Sequence, residues 1–178
     1  MPLRSARLFA IAALLCAVPT FARESRLPLQ NGLDPVERPG RWALGFTLGD
    51  PFGLSLKRYA GRNAWDAYVA FAYGPGIRFG GDWLWNLGRI ERQPKFDIDL
   101  YLGVGPFIGA FQGPCGPGFI ANRCNGDLYL GGRVPFGVEL LLKEAPVTFG
   151  LELAPGIAFA AGRAGLLLDF LLAVRFLL

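Results

Sequence analysis

The sequence of 178 residues contains no histidine, the side chain that most often moves protons near neutral pH and binds metal ions. Enzymes that activate a serine through a histidine base are therefore excluded, and histidine-based metal sites are excluded with them. Two cysteines that share one loop give too few ligands for structural zinc. The sequence predicts no catalytic residue, no metal site and no cofactor.

Long hydrophobic runs are also missing, although 52% of the residues are hydrophobic. No run of about 18 or more apolar residues follows the N-terminal segment, so the sequence predicts no membrane-spanning helix. The hydrophobic residues are spread over short segments, and 25 glycines and 14 prolines recur between and inside those segments. This usage is typical of many strands joined by tight turns, and it predicts an all-β fold.

The N-terminal segment has the features of a secretory signal peptide. Arg4 and Arg7 form its positive end, residues 8–18 its apolar stretch, and residues 20–22 a cleavage site of small-x-small type. The sequence therefore predicts export and removal of a signal peptide at residues 1–22. Without Arg4 and Arg7 the chain has 16 basic residues against 14 acidic ones, a near balance that predicts no nucleic-acid partner.

Two cysteines remain after removal of the signal peptide. Cys115 and Cys124 lie in a long loop predicted over residues 110–127, and an oxidising compartment favours a disulfide between them, with two free thiols as the alternative. Cys16 suggests a second alternative, a lipoprotein anchored through that residue. This alternative is disfavoured because Leu15 stands where such a signal needs a small residue.

The remaining chain divides into two regions. Residues 23–40 form a polar leader rich in arginine and proline, with one glutamine, and residues 41–178 show an alternation of apolar and polar side chains with period two. In the first segment of this alternation, every second residue from Trp42 to Leu48 shares one face, as a half-buried strand requires. The sequence therefore predicts one β domain over residues 41–178.

Eight such segments predict an eight-stranded antiparallel up-and-down transmembrane β-barrel, since segments of about ten residues cross the hydrocarbon layer when tilted. They begin at Trp42, Phe52, Trp65, Ile77, Phe96, Leu128, Val147 and Leu166. The connection at residues 88–95 is predicted as a turn. A shift of face is expected at the strand end around Pro106 and Phe107, because proline cannot donate a strand hydrogen bond.

The two faces of these strands differ sharply in charge. One face carries Lys57, Asp66, Arg78, Asp82, Asp97, Asp99, Arg133, Glu139, Glu152, Asp169 and Arg175. Arg58 is the single charge of the apolar face, and it is predicted to lie at a membrane boundary. Because a soluble barrel would turn its charges outward, we interpret the charged face as the lumen of a membrane barrel, filled by charges that pair with one another.

Two finer expectations concern the lumen and its rims. Asp97 and Asp99 are expected to pair with Arg78 or Arg133, with acid–base chemistry by the two carboxylates as the alternative. Six aromatic residues are expected to form interfacial girdles near strand ends, with ordinary core packing as the alternative: Trp42, Trp65, Trp83, Trp85, Tyr59 and Tyr73.

Several blocks of the sequence resemble a known group of proteins. The blocks GDPFGLSLKRY, GGDWLWNL, YLGVG and GGRVPFGVELLLKEAPVTFGLELAPGI fall within residues 44–178. They resemble a family of small outer-membrane β-barrels of unknown function, related in architecture to the OmpX and OmpA transmembrane domains. The resemblance implies the barrel fold, and it implies no activity because the family has none to carry over.

These features predict a non-enzymatic integral barrel in the outer membrane of a Gram-negative bacterium, either structural or binding a surface ligand through the loop at residues 110–127. The alternatives are a narrow pore for ions or small solutes and a soluble periplasmic ligand-binding barrel. The predicted partners are outer-membrane lipids, together with the barrel-assembly machinery and periplasmic chaperones during biogenesis. The apolar and aromatic last strand, with Phe176 and Leu178, resembles the segment that this machinery recognises.

Overall fold

A computed structural model of the chain describes residues 40–72, 76–110, 128–160 and 163–178. The predicted signal peptide, almost all of the leader, Tyr73 and both loop cysteines lie outside the described residues. The disulfide between Cys115 and Cys124 therefore stays a prediction.

The described residues form nine β-strands, which confirms the all-β prediction. The strands are β1 (Trp42–Asp50), β2 (Phe52–Ala60), β3 (Asn63–Ala72), β4 (Gly76–Arg92), β5 (Phe96–Ala110), β6 (Leu128–Arg133), β7 (Phe136–Leu142), β8 (Val147–Ala160) and β9 (Arg163–Leu177). Within these ranges there is no helix long and apolar enough to cross a bilayer.

The strands form one antiparallel sheet that closes into a ring, because β1 pairs with β9 as well as with β2. β6 and β7 both lie between β5 and β8, and they occupy the place of the predicted sixth strand. The break falls at Val134 and Pro135, since proline has no N–H group to donate. Two hydrogen bonds hold the break in the sheet: Val134 N–H donates to the Pro155 carbonyl at 2.9 Å, and Gly103 N–H donates to the Pro135 carbonyl at 2.7 Å.

The two ends of the ring carry different connections. The start of β1, the end of β9 and the connections β2–β3, β4–β5 and β7–β8 lie at one end, which we call the terminal end. The connections β1–β2, β3–β4, β5–β6 and β8–β9 belong to the opposite end, which we call the far end. The connection with the two cysteines therefore joins strands at the far end.

The predicted turn at residues 88–95 is wrong over most of its length, because β4 continues to Arg92. β4 contains two bulges where it pairs with β5, and the first of them inserts Leu87 as an extra residue. Gly88, with a φ of 151°, provides the backbone conformation needed there. The inserted residue reverses the alternation, so that Arg89 faces the inside of the ring.

The predicted shift of face near Pro106 is also wrong. Pro106 pairs with Gly132 of β6, and the register on both sides of this pair is regular. Phe107 accordingly remains on the inner side, where it is buried. Proline is tolerated here without a bulge in the pairing with β6.

Four aromatic residues face the inside of the closed sheet, and each lies directly opposite a glycine on the neighbouring strand. The pairs are Tyr68 with Gly80, Tyr101 with Gly137, Phe107 with Gly131 and Tyr129 with Gly109. A Cβ atom added at Gly80 would lie only 2.3 Å from the Tyr68 ring, so a side chain there would displace the ring. These glycines leave the space that the rings fill, as in aromatic rescue of strand glycines.

The outer side of the ring is apolar along all its strands. Many of its large hydrophobic residues are more than a third exposed, among them Phe46 at 57%, Leu130 at 60% and Leu168 at 60%. The inner side holds the charged residues and small side chains such as Ala43, Ser55 and Thr148, all buried. This distribution is the reverse of the one that a protein surrounded by water adopts.

Candidate functional site

The inside of the ring is a buried array of ionised side chains. All eleven charged residues that the sequence assigns to the lumen lie there, and none is more than 5% exposed. Burying a charge is costly unless the charge is paired and hydrogen-bonded. The arrangement of partners inside the ring is therefore what makes this fold possible.

The first group of ion pairs, which we call the Arg133 cluster, consists of Arg78, Asp82, Arg133, Glu152 and Asp169. Arg133 contacts three carboxylates: a bidentate contact with Asp82, a hydrogen bond of 3.2 Å to Asp169 and a longer contact of 3.4 Å with Glu152. Arg78 binds Asp169 with two hydrogen bonds, of 2.6 and 3.2 Å. One carboxylate, Asp169, thus joins two arginines from different strands.

The second group, the Arg175 cluster, consists of Ser55, Lys57, Asp66, Glu139 and Arg175. Arg175 donates to Asp66 at 2.5 Å and to the Ser55 hydroxyl at 2.8 Å, and Ser55 donates in turn to Asp66 at 2.8 Å. Lys57 binds Glu139 at 3.0 Å, and the same carboxylate lies 3.9 Å from Arg175. The cluster links β2, β3, β7 and β9 across the inside of the ring.

Asp97 and Asp99 pair with a residue that the sequence did not indicate. Arg89 contacts Asp97 at 2.9 Å and Asp99 at 2.8 Å, and Lys143 contacts Asp97 at 2.8 Å. The predicted pairing with Arg78 or Arg133 is wrong. The two aspartates lie at the start of β5, near the terminal end, whereas the Arg133 cluster lies nearer to the far end. Arg89 reaches them only because the bulge before it turns it inward.

Two buried tyrosines bind the glutamates of the interior. Tyr59 donates to Glu139 at 2.7 Å, and Tyr101 donates to Glu152 at 2.9 Å. The prediction that Tyr59 belongs to an interfacial girdle is therefore wrong. Its position follows the alternation of β2, in which Lys57 and Tyr59 share the inner face. Neutral hydroxyl donors supplement the cations, which are fewer than the acids inside the ring.

A small cavity separates the two clusters. Its polar lining consists of Thr47, Ser55, Asp66, Tyr68, Arg133, Glu152 and Arg175. The Thr47 and Tyr68 hydroxyls have no hydrogen-bond partner among the described residues, although both are buried. Buried hydroxyls in a polar cavity are usually satisfied by water molecules. The described interior is thus packed and charged, and a polar cavity lies between the Arg133 cluster and the Arg175 cluster.

Comparison with known proteins gives no match: no family model, curated protein or solved structure matches this chain. The resemblance to small outer-membrane barrels stays a prediction. Among the residues that the structure describes, no group of three or more histidine, cysteine, aspartate or glutamate side chains is placed to hold a metal ion. The function is therefore inferred from the geometry of the two sides of the ring.

A row of tryptophan side chains on the outer side runs from the terminal end of β1 to the middle of β4. Trp42, Trp65 and Trp83, on β1, β3 and β4, form this row, which we call the tryptophan row. Arg58 of β2 lies between Trp42 and Trp65, and the four residues are successive partners in the strand register. Trp42 and Trp65 contact each other edge to face, with ring centroids 5.1 Å apart. Trp85 lies closer to the terminal end, opposite Asn63. Trp42 and Trp65 therefore lie near the terminal end of their strands, whereas Trp83 and Trp85 lie in the middle of β4.

Proposed function

We propose that this chain is an integral β-barrel of a Gram-negative outer membrane and acts there as a non-enzymatic scaffold with a plugged interior. The observation that carries the proposal is the inversion of polarity. The eleven predicted lumen charges are at most 5% exposed, whereas outer hydrophobic residues such as Phe46, Leu130 and Leu168 are 57–60% exposed. In water this outer side would form a large apolar patch, whereas a bilayer is the solvent that it matches. Counting β6 and β7 as one strand interrupted at Pro135 gives eight strands.

The closed ring supports the same proposal through its backbone. No water is present in the hydrocarbon layer to satisfy unpaired N–H and C=O groups, so a sheet in the membrane needs partners on both edges of every strand. The pairing of β1 with β9 provides them. The usual asymmetry of such barrels, with longer loops outside the cell, places the terminal end in the periplasm and the connection at residues 111–127 outside.

Cell fractionation and gel mobility test this proposal. We expect the protein in the outer-membrane fraction, and we expect unboiled protein to run at a different position from boiled protein of 19.3 kDa or the shorter processed chain. The physical reason is that detergent does not open a closed ring until heat separates its strands. Recovery in the soluble fraction after osmotic shock, with the same mobility before and after boiling, would instead favour a soluble periplasmic barrel.

A narrow pore is the second candidate, and the cavity lined by Asp66, Arg133, Glu152 and Arg175 is the observation in its favour. The ion pairs on both sides of the cavity span the inside of the ring. We therefore expect no discrete conductance steps when the purified protein is added to a planar bilayer. Steps in the wild type that change size in Glu152→Ala would show a conducting lumen and contradict the plugged scaffold.

A further inference from the structure

Arg58 is a charged residue in an apolar setting. It is exposed on the outer side of β2, where its register partners are Trp42 on one side and Trp65 on the other. The Arg58 Cζ atom lies 5.3 Å from the centre of the Trp42 ring, a distance at which the ring attracts the cation. Among the described residues, no carboxylate pairs with Arg58 on this side of the ring.

Arg58 lies close to the end of its strand. β2 ends two residues later at Ala60, and Trp42 is the first residue of β1. In a barrel that spans the bilayer, this level corresponds to the lipid headgroups, where tryptophan is also favoured. Arg41 and Arg62 lie at the same end. The Arg41 carbonyl accepts a hydrogen bond from Tyr59 N–H at 2.9 Å, and Arg62 belongs to the β2–β3 connection. The positive charges of Arg41, Arg58 and Arg62 attract anions.

The chemistry of the guanidinium group selects the partner. Its contact with the face of Trp42 uses the π-system of the ring and leaves the planar N–H donors free to bind two oxygen atoms of one phosphate. The tryptophan rings around it offer an apolar surface with an indole N–H donor, which suits the glycerol region beside a lipid phosphate. A phospholipid supplies both parts in one molecule, whereas a free anion supplies only the phosphate.

We infer that Arg58 and the tryptophan row bind the phosphodiester headgroup of an anionic phospholipid, such as phosphatidylglycerol, in the leaflet at the terminal end. This inference rests on the proposed function, because the site meets a lipid headgroup only if the ring spans a membrane. The site would fix the depth and the rotation of the barrel relative to that leaflet.

Native mass spectrometry of the protein extracted from membranes tests the inference, with phosphatidylglycerol and phosphatidylcholine of the same acyl chains as probes. We expect the wild type to prefer phosphatidylglycerol by about fivefold, the effect of one arginine close to an anionic surface. Arg58→Gln should abolish this preference. Arg92→Gln is the matched control, since Arg92 is an exposed arginine at the same end and outside the tryptophan row, and it should keep the preference.

Three results would overturn the inference: no preference in the wild type, equal losses in both variants, or displacement of the lipid by the same concentration of inorganic phosphate. The last result would mean a site for a free anion. Heat-dependent gel mobility is measured on each protein to separate this test from the larger proposal. A wild type without that mobility change contradicts the barrel itself, whereas a folded barrel without lipid preference contradicts only the site.

Discussion

Replacing Arg133 by methionine should lower the free energy of unfolding by about 3–5 kcal/mol, the usual cost of leaving buried charges without their partner. Arg133 contacts Asp82, Glu152 and Asp169, and all four side chains are almost completely buried. Methionine fills part of the volume but provides no positive charge. Urea unfolding of the protein refolded in lipid vesicles measures the change.

Two further variants make the Arg133 result specific. Arg92→Met removes an exposed arginine and should change the free energy of unfolding by less than about 0.5 kcal/mol. Adding Asp82→Asn to Arg133→Met removes one of the unpaired charges, so the double variant should be less destabilised than the sum of the single changes, by about 0.5–3 kcal/mol. A loss below about 1 kcal/mol for Arg133→Met alone would show that the interior is hydrated and not a tight ion-pair network.

Replacing Leu153 by arginine should lower the free energy of unfolding in vesicles by about 2–4 kcal/mol, the cost of a cation at the middle of a membrane barrel. Leu153 lies midway along β8 on the outer side and is 43% exposed. The same substitution on a surface in water would change stability by less than about 0.5 kcal/mol. The experiment therefore distinguishes lipid from water as the surroundings of the outer side.

Phe159→Arg is the matched control for the Leu153 variant, because Phe159 faces outward on the same strand but lies one residue before its end. In a bilayer its cost should fall to about 0–1 kcal/mol, since the charge there reaches the headgroups. Equal and small losses at both positions would mean that the outer side is not covered by hydrocarbon. That result would contradict the transmembrane proposal even if the ring itself is intact.

The alternation of side chains was enough to predict strands and the inner face, because a strand with period two leaves little freedom in which side its residues point. Lys57 and Glu152 follow from this rule, and the structure places both inside. The rule does not predict bulges. It therefore did not assign Arg89 to the inner face, because the direction of that side chain depends on one inserted residue. It also treated residues 128–140 as one strand, although Pro135 interrupts the strand pattern there.

The identity of the ion-pair partners could not be predicted in the same way. Arg175 pairs with Asp66, which is 109 positions away, and such a pair depends on the register of every strand between them. The predicted pairing of Asp97 with Arg78 or Arg133 shows this limit. The sequence predicted correctly that Asp97 faces inward, but not its position between the terminal end and the far end. Charge and alternation predict which residues face the interior. Which of these residues pair with each other is determined by the strand register of the closed sheet.

The ion pairs of β9 have a consequence for folding. Asp169 and Arg175, on the last strand, bind Arg78 and Asp66, and these partners are 91 and 109 positions away. Until β9 docks, an incomplete sheet in the membrane would hold these charges without compensation, which is unfavourable. In the proposed membrane barrel, partly inserted intermediates would thereby be penalised, and contacts this distant in sequence should make assembly slow. For the proposed membrane barrel we therefore expect cooperative insertion, with docking of the C-terminal strand as the step that commits the chain.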